Sequence, residues 1–84
     1  MSVSSVNTPT SGELKRASAR SREMIADWMR TNRIKADLSQ EGLANLAGID
    51  RKTVNRIENG HFSPSIDTMT RIAVVLGKKI PQLV

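Results

Sequence analysis

Apolar and polar residues follow a helical spacing along the chain. Apolar side chains recur at steps of three and four residues, and no segment alternates apolar and polar residues with a period of two. The first pattern is typical of helices that bury one face, whereas the second would indicate strands. Three glycines, Gly48, Gly60 and Gly77, interrupt the pattern at points where a helix can end in a left-handed backbone. The pattern therefore predicts an all-α protein.

Four helices are predicted between residues that commonly start and stop helices. In chain order they cover Gly12–Asn32, Gln40–Ala47, Arg51–Asn59 and the stretch between Ser65 and Gly77. The first helix either starts near Gly12 or has a frayed start and becomes firm near Ala19. Residues 32–37 are predicted to form a polar connection, and residues 80–84 a short terminal turn. The predicted N-caps, whose side-chain oxygens can accept from free backbone N–H groups, are Ser11, Ser39, Asp50 and Ser65. The predicted apolar stripe of the fourth helix is Ile66, Met69, Ile72, Ala73 and Leu76.

The segment from Met1 to Thr10 differs from the rest of the chain. It consists mainly of Ser, Thr, Asn, Pro and Val residues. Such a segment buries too little apolar surface to offset the entropy lost on ordering. We therefore expect a flexible tail over residues 1–12 and one folded domain over residues 13–84, since a length of 84 residues allows one small domain.

Residues 40–59 have the pattern of two short helices that cross steeply. The link Gly48-Ile49-Asp50 is three residues long and begins with glycine, which is typical of a helix-turn-helix. Ala44 is small where the second helix must approach the first. The side chains predicted to face the core from this pair are Leu43, Ile49, Val54 and Ile57.

The same window resembles the helix-turn-helix of the lambda-repressor-like family, the Cro/C1-type regulators. The matching stretches are Leu38-Ser39-Gln40-Glu41, Leu43-Ala44, Ala47-Gly48-Ile49, Val54, Ile57-Glu58-Asn59-Gly60, Pro64-Ser65 and Leu76-Gly77. The resemblance implies a compact bundle of five helices. It also implies a transcriptional regulator, a repressor by preference, that binds double-stranded DNA and dimerises through its later helices.

The third predicted helix carries the candidate base-reading residues. With Val54 and Ile57 turned inward, the helical period turns a cationic and amide-bearing face outward. Arginine and lysine donate to guanine O6 and N7 in the major groove, and asparagine pairs with adenine. The candidates for reading bases are Arg51, Lys52, Asn55 and Arg56.

Other polar residues near the two short helices are candidates for phosphate contacts. The resemblance assigns Gln40 to a backbone phosphate, and a helix start with free N–H groups suits an anion. Further candidates for the DNA backbone are Ser39, Thr53, Asn59 and His61. The resemblance also implies that Glu58 pairs with an arginine of the first helix, for which both Arg30 and Arg33 are open.

Net charge and composition narrow the range of functions. Thirteen Lys and Arg against eight Asp and Glu give a charge of +5 and a pI near 10.5, which favours a polyanionic partner. The only aromatic residues are Trp28 and Phe62, which argues against stacking of single-stranded bases.

The chain has no cysteine and a single histidine, so we expect neither an enzyme nor a metal site, and no cofactor. The longest apolar run, Ile72–Leu76, is too short for a membrane span, so we expect a cytoplasmic, nucleoid-associated protein.

Three further interpretations stay open at this point. The apolar side chains Ile80, Leu83 and Val84 are candidates for a homodimer contact, or for packing on the first helix. A basic cluster precedes the core, namely Lys15, Arg16, Arg20 and Arg22. It is either a solvated helix face or an N-terminal arm that contacts the DNA backbone or the minor groove. Because the same fold serves in antitoxins, the alternative function is that of an antitoxin whose segment Met1–Thr10 binds a toxin protein.

Overall fold

The computed structural model describes residues 6–83, and these residues form four helices and no strand. The helices are α1 (Ser11–Lys35), α2 (Gln40–Ala47), α3 (Arg51–Glu58) and α4 (Ile66–Leu76). Helix α3 packs against both α1 and α2, and α4 closes the bundle by packing against α2 and α1. The all-α prediction is therefore confirmed. No helix in the described part of the chain is long and apolar enough to cross a bilayer.

The structure does not confirm the count of five helices that the resemblance implies. Residues 78–83 form no helix. Gly77 ends α4 in a left-handed conformation with φ 65°, and Pro81 has no backbone N–H with which to continue a turn. Two predictions involve residues outside the described range. The dimer candidate Val84 lies outside it, and so do residues 1–5, which are the first half of the segment predicted to bind a toxin in the alternative function.

Each helix contributes at least one side chain to a common core. The largest fully buried side chains are Met29 of α1, Leu43 of α2, Val54 and Ile57 of α3, and Ile72 of α4. Burying a side chain of this kind stabilises the fold by about 1.5–3 kcal/mol. The core thus fixes the face of α3 that turns inward, and with it the face that is left to solvent. Ile66, predicted in the apolar stripe of α4, is instead 69% exposed at the first helical position.

Helix α1 begins at Ser11, earlier than the predicted domain boundary at residue 13. Its N-cap is Thr10, so the prediction of Ser11 as the cap was wrong by one residue. The Thr10 hydroxyl accepts from the N–H of Glu13 at 3.1 Å, and the Glu13 carboxylate accepts from the N–H of Thr10 at 3.0 Å. This reciprocal pair requires Glu at the third helical position, which selects Thr10 as the cap. The backbone hydrogen bond from Thr10 also lowers the pKa of Glu13 below its ordinary value.

Helix α1 also ends later than predicted, because it continues through the supposed polar connection to Lys35. Asn32 stays helical while its side-chain amide donates to the carbonyl of Trp28 at 2.8 Å. The chain turns only at Ala36 and Asp37, where Asp37 takes a positive φ of 59°. By contrast, the beginning of α1 lies outside the core: its buried residues start at Ile25.

The caps of the remaining helices follow the sequence prediction in all but one respect. Ser39 accepts from the N–H of Gly42 at 2.9 Å, and Ser65 accepts from the N–H of Thr68 at 3.1 Å. Asp50 occupies the N-cap position of α3, but its side chain makes no capping hydrogen bond. Its carboxylate is exposed beside the first turn of α3.

Gly48 ends α2 at the start of the link to α3. Its φ is 70°, and a Cβ at this position would lie 3.0 Å from Nη1 of Arg71. Gly48→Ala is expected to lower the free energy of unfolding by about 1–2 kcal/mol, the cost of a left-handed non-glycine residue, plus the displacement of Arg71. Urea denaturation measures the effect. Gly77→Ala is the matched control, because its φ is 65° but a Cβ there meets nothing within 4 Å. Equal losses in the two variants would show that the Arg71 contact contributes nothing.

Candidate nucleic-acid interface

Helix α3 turns its predicted base-reading residues to one open face. Val54, Ile57 and Glu58 are its buried residues. The remaining face carries Arg51, Lys52, Asn55 and Arg56, which together line one shallow depression of about 310 Å³. Arg51, Lys52 and Arg56 are exposed, whereas Asn55 is half-buried. The structure therefore brings the four predicted side chains together on one face, with Asn55 partly covered.

In the described part of the chain, no carboxylate forms an ion pair with the cations on this face. Among residues 6–83 the ion pairs join Arg30 to Asp27 and Arg33 to Glu58, and neither involves the open face of α3. The guanidinium carbon of Arg56 lies 5.4 Å from the centre of the Phe62 ring. Attraction to the face of an aromatic ring restricts the guanidinium without removing its charge or its donors. The face thus offers free positive charge to an anionic partner.

The candidate phosphate contacts belong to α2, to α3 and to the loop after α3. Ser39 and Gln40 are at the N-terminus of α2, and the Ser39 hydroxyl, which already accepts from Gly42, keeps its own hydrogen for donation. Thr53 is half-buried in the first turn of α3. Asn59 and His61 are exposed just beyond the end of α3. Two of the five residues therefore lie at the start of α2, one lies within α3, and two lie just after its end.

Glu58 is the one charged residue in the buried set of the described residues, at 3% exposure, and it pairs with Arg33. Arg33 donates from Nε to Oε2 at 2.7 Å and from Nη2 to Oε1 at 3.0 Å. These hydrogen bonds raise the pKa of the Arg33 guanidinium above its ordinary value. Arg30 donates instead to the backbone carbonyl of Glu58 at 2.6 Å. The structure thereby decides between the two arginines that the sequence left open.

Sequence reasoning missed a chain of amide hydrogen bonds that begins at Glu58. Gln40 donates from Nε2 to Oε1 of Glu58 at 3.1 Å, and Asn55 donates from Nδ2 to Oε1 of Gln40 at 3.3 Å. Asn59 then donates from Nδ2 to Oδ1 of Asn55 at 3.2 Å. Both polar atoms of Gln40 are therefore engaged within the protein, and one N–H is left for a phosphate. The residue types were visible in the sequence, but their meeting depends on how α2 crosses α3.

The basic cluster of α1 divides into one anchored residue and three exposed ones. Arg22 is half-buried and donates from Nε to the carbonyl of Gly60, just after α3, at 3.2 Å. The exposed residues are Lys15, Arg16 and Arg20. Arg22 therefore has a structural contact that joins α1 to the α3–α4 loop.

The dimer candidates at the end of the described chain are partly exposed. Ile80 is 39% exposed and Leu83 is 38% exposed. Leu83 lines a hollow together with Ser18 and Ile25 of α1 and with Pro64. Leu83 therefore lies beside α1, where the interpretation of packing on the first helix places it. Part of its surface stays open to solvent.

Comparisons with known proteins agree with this geometry. The sequence model of the helix-turn-helix family matches residues 29–83. The chain is 34% identical over 61 residues to the cryptic phage CTXphi transcriptional repressor RstR of Vibrio cholerae, which is 73% of this chain and 55% of that repressor. It is 39% identical over 51 residues to an uncharacterized HTH-type transcriptional regulator of Methanothermobacter thermautotrophicus, which is 61% of this chain and 74% of that protein. The chain thus spans about half the length of the Vibrio repressor.

Proposed function

Because the chain belongs to the Cro/C1-type helix-turn-helix family, we propose that it is a sequence-specific transcriptional regulator, acting as a repressor, that binds double-stranded DNA. The name of its Vibrio relative supports repression. A protein that represses by occupying an operator works at the nucleoid, in the cytoplasm.

The observation that carries the proposal is the open face of α3. An α-helix fits the major groove, where each base pair presents its own pattern of donors and acceptors. Arg51 and Arg56 carry donors suited to guanine O6 and N7, and Lys52 adds a further cation for a base or a phosphate. Asn55 carries the donor and acceptor that adenine requires. The candidate phosphate contacts at the start of α2, in α3 and just after α3 orient the helix through phosphates, which carry no sequence information themselves.

In the proposed function, the protein binds as a homodimer to an inverted repeat in the DNA. A helix as short as α3, with eight residues, reads only a few base pairs, so one copy gives little specificity. Two copies on half-sites about 34 Å apart would give usable specificity. The exposed parts of Ile80 and Leu83, together with Val84, are the proposed contact.

Selection of bound duplexes from a random pool tests the proposal. The full chain is expected to enrich one sequence, arranged as two half-sites of opposite orientation with centres about 10 base pairs apart. An enriched single half-site would contradict the dimer but not DNA reading. A pool that stays random while the protein is folded would contradict sequence-specific recognition.

A further inference from the structure

The Glu58 carboxylate gives a direction to the amide chain. An ionised carboxylate only accepts hydrogen bonds, so Gln40 must turn its NH₂ group toward Glu58 and its oxygen toward Asn55. Asn55 must in turn present its NH₂ group to that oxygen. Its own oxygen then faces Asn59, as the hydrogen bond between these two residues shows. The negative charge of Glu58 in the core thus determines the orientation of the Asn55 amide on the open face of α3.

We propose that Gln40, held by Glu58, orients the Asn55 amide and thereby sets the base preference at the position that Asn55 reads. This inference rests on the proposed function, since it concerns which base α3 selects. Gln40 acts here as a positioning residue, in addition to any phosphate that its remaining N–H contacts. Asn55 keeps one N–H and one oxygen lone pair after its two internal hydrogen bonds, which is what a contact with adenine N7 and N6 uses.

Orientation matters because adenine presents its acceptor and its donor in a fixed order along the major groove. A reversed amide would place its NH₂ group against the adenine amino group, and its oxygen against N7. Both contacts would be lost, and groups desolvated by the complex would be left unpaired. Without Gln40, Asn55 can take either orientation, so adenine loses its advantage over other bases at this position.

Gln40→Leu tests the inference while keeping the fold. Glu58 retains both hydrogen bonds from Arg33, and the freed Asn55 amide is half-buried, within reach of water. On the duplex selected by the parent protein, the preference at one base pair is expected to be about 5- to 150-fold. In Gln40→Leu most of that preference is expected to be lost, so that the affinities for the four bases at this position approach one another, while preferences at the other positions are unchanged. The measurement is a competition titration against duplexes with every single-base change.

A double-mutant cycle separates orientation from phosphate contact. In the Asn55→Ala background, Gln40→Leu is expected to change no base preference, because its target is gone. Asn45→Leu, which makes the same kind of replacement at an exposed amide of α2 outside the hydrogen-bond chain, is the matched control and leaves all preferences intact. A uniform loss of affinity in Gln40→Leu with unchanged preferences would overturn the inference. A folded parent protein that prefers no duplex would overturn the proposed function instead.

Discussion

Glu58→Ala is expected to lower the free energy of unfolding by about 3–5 kcal/mol, because it leaves the charge of the Arg33 guanidinium without its carboxylate partner. The side chain of Arg33 is only 14% exposed, and both its Nε and its Nη2 donate to the Glu58 carboxylate. Removing the carboxylate also ends the hydrogen bond from Gln40. Since small domains are stable by about 5–15 kcal/mol, the variant is expected to lose a large part of its stability.

Urea denaturation followed by circular dichroism measures this loss. The matched control is Asp27, which also forms an ion pair with an arginine of α1. The Asp27 side chain is 79% exposed, and its Oδ1 lies 3.8 Å from Nη1 of Arg30. Asp27→Ala is expected to cost less than about 1 kcal/mol, as exposed pairs do. Equal losses in the two variants would contradict a special role for the buried pair.

Arg51→Ala and Arg56→Ala are each expected to weaken binding to the selected duplex by about 1–3 kcal/mol, or about 5- to 150-fold. The physical reason is that guanidinium contacts to guanine exist only on the right sequence. On duplexes of random sequence the loss is expected to be smaller, since only attraction to phosphates is reduced. The ratio of the two affinities therefore falls in both variants.

Fluorescence anisotropy at fixed salt concentration measures both affinities. Lys78→Ala is the control for loss of one positive charge, because Lys78 is exposed beyond α4 and is not among the residues that line the open face of α3. It is expected to leave the ratio unchanged. If Arg51→Ala and Arg56→Ala reduced both affinities by the same factor, the two arginines would be phosphate contacts and not base readers.

Local sequence signals predicted the part of the fold that positions the site. Gly48, the caps Ser39 and Ser65, and the inward faces of α2 and α3 all have local signals, and the structure confirms them. The open face of α3 follows from these by helical period alone. Its composition could therefore be predicted without knowledge of the tertiary structure.

The parts that could not be predicted depend on contacts between distant residues. The stretch from Asn32 to Lys35 looks like a connection because it is polar, yet Arg33 turns inward to a carboxylate 25 residues away. The meeting of Gln40 with Asn55 likewise depends on the crossing of α2 and α3. The beginning of α1 could not be predicted from the family either, because it lies before residue 29, where the match to the family begins.

Base analogues in the selected duplex test most directly whether α3 reads the major groove. 7-Deazaguanine lacks the N7 acceptor of the major groove, whereas inosine lacks the amino group of the minor groove. At a guanine read by Arg51 or Arg56, 7-deazaguanine is expected to weaken binding by about fivefold or more, and inosine to leave the affinity unchanged. Sensitivity to inosine with indifference to 7-deazaguanine would contradict the account.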